Sequence, residues 1–119
     1  MGNQHSMYPT VTKSANLGGQ QVLPCEVRPN SNPDAQYVVS WTKSGIKDSL
    51  LVKFEGYNNP AVMEGYKDRL DVVNKASLQI SHIESSDEGW YSCEVYFTVE
   101  RDDKKRLPSD YSWVYLTVH

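Results

Sequence analysis

Two cysteines, Cys25 and Cys93, stand 68 positions apart, with Trp41 between them and Tyr91 two places before the second. Each lies in a run of alternating character. Leu23, Cys25 and Val27 share one parity, and Tyr91, Cys93, Val95 and Phe97 alternate with Ser92, Glu94, Tyr96 and Thr98. Successive strand residues point to opposite faces, so both cysteines fall on the apolar side of a short strand. A bridge between them would close a long loop and, on the chain-entropy account, stabilise the fold by about 4 kcal/mol. Free thiols or metal ligation are the alternatives, but two lone cysteines with no neighbouring His or Cys make a poor zinc site, so bridging is favoured.

The rest of the chain carries the same period. Short alternating or β-branched runs recur from Met7 onward, and no segment holds a helical repeat for three turns. Clusters of turn-formers at Asn16 to Gly19, Pro29 to Asp34, Lys43 to Asp48, Gly56 to Pro60, Glu64 to Asp68 and Arg101 to Asp110 separate about eight or nine strands. Parity puts Tyr37, Val39 and Trp41 inward, with Leu78 and Ile80, and with Val114, Leu116 and Val118, leaving Trp113, Tyr115 and Thr117 outward. In Leu50 to Glu55 the two charges Lys53 and Glu55 share a parity and are costly to bury, which predicts Leu50, Val52 and Phe54 inward and Leu51 outward. Pro24 lacks the N–H that a central strand needs, so the first strand is expected to have peeled away beside it. The polar stretch from Ile83 to Glu88 fits one helical turn crossing between two sheets.

At 119 residues, 39% hydrophobic and 23% charged, the chain fits one globular domain, read as residues 7–119. Met1 to Ser6 has no apolar stretch and is read as a disordered tail or expression leftover. A net charge of −3 supplies no basic face for nucleic acid or for direct contact with an anionic membrane. Nor does the inventory favour catalysis. His5, His82 and His119 do not gather with strand-end carboxylates and a nucleophile, and Asp87-Glu88 and Asp102-Asp103 sit on turns where solvated charge suffices. The expectation is no enzyme, no catalytic residue, no cofactor and no metal.

The motif Asp87-Glu88-Gly89-Trp90-Tyr91-Ser92-Cys93, with Trp41 between the cysteines, resembles the variable-type immunoglobulin domain. The resemblance implies an all-β immunoglobulin-like sandwich of the variable (V-set) type. In it Cys25 and Cys93 tie two sheets together and Trp41 packs on the bridge. Tyr91 fills the tyrosine-corner position, and Arg69 opens strand D as the partner of Asp87. The strand named G departs from antibody-like domains: Ser112-Trp113 stands where a Gly-x-Gly bulge would be, which puts antibody-style pairing through that bulge in doubt.

Beyond the general signature, Ala76 to Ile80, Asp87 to Phe97, Ser112 to Val118, Tyr37 to Trp41 and Gly65 to Arg69 together resemble the Turtle and Borderless family of neuronal adhesion proteins, with a lean toward the Borderless branch. That resemblance implies the first domain of an extracellular, membrane-anchored ectodomain engaged in recognition between neurons. Parity places Val38, Ser40, Leu51, Lys53, Ser92, Glu94, Tyr96, Trp113 and Tyr115 on the outward face of strands C, C′, F and G. Its aromatics are the residue types that dominate interface hot spots. Protein is thus the expected partner, through homodimer or family-member contacts on this face. A heterophilic ligand-receptor module and a structural spacer stand as alternatives. The segment Glu100 to Arg106 holds three acids and four bases, fitting a charged hairpin tip that sets orientation or a merely solvated one.

Overall fold

A computed structural model of the chain describes residues 10–99, 102–106 and 110–119. The tail expected at residues 1–6 lies outside the described residues. Among the described residues ten strands follow in order: β1 (Thr10–Ala15), β2 (Gln21–Leu23), β3 (Ala35–Lys43), β4 (Leu51–Phe54), β5 (Ala61–Val62), β6 (Leu70–Val73), β7 (Ser77–Ile80), β8 (Gly89–Val99), β9 (Asp102–Arg106) and β10 (Asp110–Val118). One sheet runs β1-β10-β8-β3-β4-β5, with β9 against β8; the other is β2-β7-β6. This is the V-set sandwich, with β3, β4, β8 and β10 as strands C, C′, F and G.

Pro24 ends the backbone ladder of the smaller sheet, the chain having already changed sheets between Ala15 and Gln21. The ladder of β2 with β7 ends at Leu23, while β1 lies parallel to β10 in the opposite sheet. Just beyond the proline, Cys25 pairs with a side chain: its N–H donates to Ser77 Oγ at 3.1 Å, and that hydroxyl donates to the Cys25 carbonyl at 3.3 Å. Cys25 and Cys93 are bridged. Trp41 is the register neighbour of Cys93, and its indole N–H donates to the carbonyl of Ala76 on the far sheet at 2.8 Å. Leu23, Val39, Trp41, Leu78, Ile80, Tyr91, Val95, Val114 and Leu116 fill the core between the sheets.

The crossing from β7 to β8 is a single 3-10 turn at Ser85–Asp87, tied by reciprocal capping between Glu84 and Asp87. Asp87 Oδ2 accepts the Glu84 N–H at 2.8 Å and also the Arg69 guanidinium. The Tyr91 hydroxyl donates to the Asp87 carbonyl at 2.5 Å. Gly89 follows with φ 141, a backbone angle that favours glycine, while the nearest atom to a Cβ there, Lys43 Nζ at 3.0 Å, ends a flexible side chain that can move aside.

The structure corrects the reading of strand β4. Leu51 is 0% exposed and pairs with Trp41 on one side and Val62 on the other, and Lys53 stands opposite Val39, so both face inward. Val52 and Phe54, opposite Ser40 and Val38, face outward. Leu50 is buried as well, at a bend before the strand begins, where its N–H donates to the Trp41 carbonyl. Two adjacent buried leucines shift the phase by one residue, and a one-residue shift exchanges the two faces. The charges that argued against this phase are accommodated. Glu55 Oε1 accepts the Tyr37 N–H at 3.0 Å, and Lys53 is half-buried, as a lysine stem lying on apolar surface allows while its ammonium stays wet.

Removing the bridge with Cys25→Ala and Cys93→Ala should lower unfolding free energy by about 4 kcal/mol, since a closed loop of this length restricts the unfolded chain most. Denaturant titration measures it, with a native β-rich circular dichroism spectrum as control. Arg69→Ala should cost about 3 kcal/mol, because it leaves the buried Asp87 carboxylate without its counter-ion.

Tyr91 predicts a pH dependence. Burial, then the Asp87 carboxylate, raises its phenol above the ordinary value of 10.0. The folded state therefore holds that proton more tightly than the unfolded state does. The stability linked to it is complete below pH 10.0 and is lost as pH climbs beyond. Tyr91→Phe should flatten the fall in stability between pH 10 and 12 while lowering stability at pH 7 by about 1 kcal/mol for the lost hydrogen bond.

Candidate protein-binding face

The inward positions are spent on the core, which leaves one broad surface on the opposite side of the larger sheet. Register alignment groups its residues: Val38 with Phe54 and Tyr96, Ser40 with Val52 and Glu94, Thr42 with Ser92, Trp113 with Ser92, Tyr111 with Glu94, and Tyr115 with Trp90. The β10 to β8 register runs unbroken from Asp110 to Leu116, without the bulge that would turn the edge of the face.

At the β10 edge the face is aromatic. Trp90, 42% exposed, meets the Tyr115 ring edge-on with centroids 5.1 Å apart. Trp90 and Trp113, with Thr10 and Ser44, border a shallow, open depression of about 350 Å³. The centre is small and polar: Thr42 and Ser92 hydroxyls lie 2.6 Å apart, Ser40 and Ser49 hydroxyls 2.9 Å apart. Beside them the Tyr111 hydroxyl donates to Glu94 Oε2 at 2.9 Å. At the β4 end, Phe54 is 49% and Tyr57 67% exposed, their ring centroids 5.9 Å apart. Among the described residues at the outward register positions of β3, β4, β8 and β10, Glu94 alone carries a formal charge.

Seven of the nine residues expected on the outward face lie there: Val38, Ser40, Ser92, Glu94, Tyr96, Trp113 and Tyr115. Leu51 and Lys53 do not, for the phase reason given above. Val38 has outward parity yet is only 1% exposed, enclosed on its own face between the register neighbours Phe54 and Tyr96, so it supports the surface without forming it. Trp90, Tyr111, Phe54 and Tyr57 belong to the face and were not among the expected residues. Trp90 and Tyr111 were within reach of the same parity rule, since Trp90 alternates with Tyr91 and Tyr111 with Ser112. Of the charged segment 102–106, the backbone forms β9 against β8, with a register shift between Thr98 and Val99.

Comparison with known proteins places this architecture. The immunoglobulin V-set domain family model matches residues 8–109. Protein turtle homolog B of Homo sapiens is 36% identical over 107 residues, covering 89% of this chain and 8% of that protein. Protein turtle of Drosophila melanogaster is 34% identical over 117 residues, covering 89% of this chain and 7% of its own length. The chain thus spans less than a tenth of these relatives. Among solved structures, the V domain of amphioxus IgVJ-C2 aligns with a TM-score of 0.66 at 26% identity, covering 88% of this chain and 97% of that one. The extracellular domain of the voltage-gated sodium channel beta4 subunit, described as forming parallel homodimers in cell-cell adhesion, has the same fold, with a TM-score of 0.60 at 22% identity over 99% of this chain and 92% of that one. By its sequence pattern, its bridged sheets and a family match over most of its length, the chain belongs to the immunoglobulin V-set domain family.

Proposed function

We propose that this domain is an adhesion and recognition module of a Turtle-like cell-surface protein, exposed outside the cell, and that it binds a second copy of itself or a family member through the face of β10, β8, β3 and β4. The observation that carries this reading is the composition of that face. In a chain that is 23% charged, a sheet surface bearing Glu94 as its one outward charge among the described residues, and carrying Trp90, Trp113, Tyr115 and Tyr96, is poorly suited to remain in water. A face with so little charge also meets a copy of itself without like-charge repulsion.

We place the domain first in a multi-domain ectodomain of neurons, on the Borderless side of the family. Identities of 36%, 34% and 30% to human homolog B, the fly protein and human homolog A support the wider Turtle grouping on which this placement builds.

Sedimentation equilibrium to high concentration tests the homophilic reading. A monomer–dimer equilibrium is expected for the wild type, with Tyr96→Arg or Tyr115→Arg weakening it about tenfold or more, since placing a cation in a desolvated aromatic contact costs upward of 1.4 kcal/mol. A wild type that stays monomeric but binds cells lacking this protein would instead assign the face to a heterophilic ligand.

A further inference from the structure

The smaller sheet ends in strands that each have a single neighbour. Among the described residues β2 and β6 pair with β7 alone, so each leaves one side of its backbone open. A bare row of N–H and C=O groups is a template on which another strand can add. Which groups lie there follows from alternation, because successive residues of an edge strand turn their backbone groups to opposite sides. Cys25 turns its N–H to Ser77 of β7, which leaves Val22 and Pro24 on the open side of β2. The Ser81 N–H donates to the Arg69 carbonyl at 2.8 Å, which leaves Leu70 and Val72 on the open side of β6. On β1 the Ala15 carbonyl accepts the His119 N–H at 2.9 Å, so Ser14 lies on the open side there.

Side chains of the same edges occupy these groups. The Val22 N–H donates to Gln21 Oε1 at 2.9 Å, while Gln21 Nε2 donates to the Ser14 carbonyl at 2.7 Å. An N–H can only donate and a carbonyl can only accept, so one orientation of the carboxamide serves both. Gln21 thus spans the crossing from β1 to β2 and fills an open group on each. Pro24 has no N–H to offer an incoming strand. On β6 the Val72 N–H donates to Asp71 Oδ1 at 2.8 Å, and Asp71 is exposed, so its carboxylate also sets a negative charge at that edge. We infer that Gln21, Pro24 and Asp71 form a block to strand addition at both edges of the smaller sheet, which keeps copies of this chain from joining there by sheet continuation. An incoming strand has to break a bond already made at Val22 or Val72 before it can form its own. The block is independent of the aromatic face, which lies on the other sheet.

The test uses the full chain with Tyr115→Arg in every variant, so that association through the aromatic face does not mask association through an edge. Adding Gln21→Val and Asp71→Val together frees the Val22 and Val72 N–H groups. Assembly is followed by thioflavin T fluorescence and sedimentation velocity, below the unfolding temperature of each variant. The edge-opened chain should assemble at a concentration about tenfold or more below that of its Tyr115→Arg parent. Gln79→Val is the control for added apolar surface, since Gln79 stands on the central strand opposite both Val22 and Asp71 and opens neither edge. Asp71→Asn is the control for charge, since it keeps the Oδ1 acceptor. Both should behave as the parent does. If the double variant does not fold, Asp71→Val alone reads the β6 edge from an exposed position. A folded edge-opened variant that assembles no more readily than its parent overturns the block. So does equal assembly of Gln79→Val or Asp71→Asn, which would assign the effect to apolar surface or to charge in place of the capped N–H groups.

Discussion

The relative position of the two sheets depends on one cluster in which Cys93 and Trp41 stand side by side. The bridge reaches from Cys93 in the larger sheet to Cys25, just past the end of β2, and the Trp41 indole reaches from the same level of the larger sheet to the Ala76 carbonyl in the smaller one. Ser77, the next residue, completes the Cys25 backbone pairing that Pro24 interrupts. A covalent link, a buried hydrogen bond and a side-chain substitute for a ladder bond thus converge within a few residues. Once these are satisfied, the parity of β3 and β8 has no freedom left, because a one-residue slip would turn Trp41 and Cys93 out to solvent. The outward face is the complement of that constraint.

A second anchor sits where the chain crosses between the sheets. Asp87 accepts three hydrogen bonds: its carboxylate takes the Arg69 guanidinium and the Glu84 N–H, and its carbonyl takes the Tyr91 hydroxyl. The Arg69 guanidinium lies over the Tyr66 ring, 5.3 Å from its centroid, so the turn before β6 is bound to the same group. Gly89 then allows the chain to enter β8 beside Lys43. This sets the start of β8 and therefore which residues of that strand face out. Trp90 projects onto the outward face because Tyr91, its neighbour, is committed to the corner.

These dependences explain how far the residues alone could be read. The sandwich, the bridge and the crossing turn were legible because several local signals agreed: alternation, the cysteine positions, the Pro24 break and the Asp87 to Cys93 motif all call for the same arrangement. Strand β4 was not. Its phase depends on Leu50 and Leu51 both being buried across a bend, and on Glu55 finding the Tyr37 N–H, a contact between residues 18 apart that no local pattern contains. The charge rule failed there because a half-buried carboxylate with a backbone donor is far cheaper than one without. The error had a direct consequence for the face, for it exchanged Phe54 and Val52 with Leu51 and Lys53.

The corrected phase also changes the character of the surface. With Leu51 and Lys53 outward, the β4 side would have presented one aliphatic group and one charge, leaving the aromatics confined to β8 and β10. With Phe54 outward and Tyr57 beside it, exposed aromatics lie at both ends of the sheet, with hydroxyl-bearing residues between. An apolar patch at one edge favours an off-centre contact whose partner is unspecified. Exposed aromatics at two ends of the sheet give a partner two separate anchors in place of one. The tyrosine corner, the proline break and the paired leucines are core features. Yet it is their combined choice of parity, strand by strand, that determines which aromatics this domain presents.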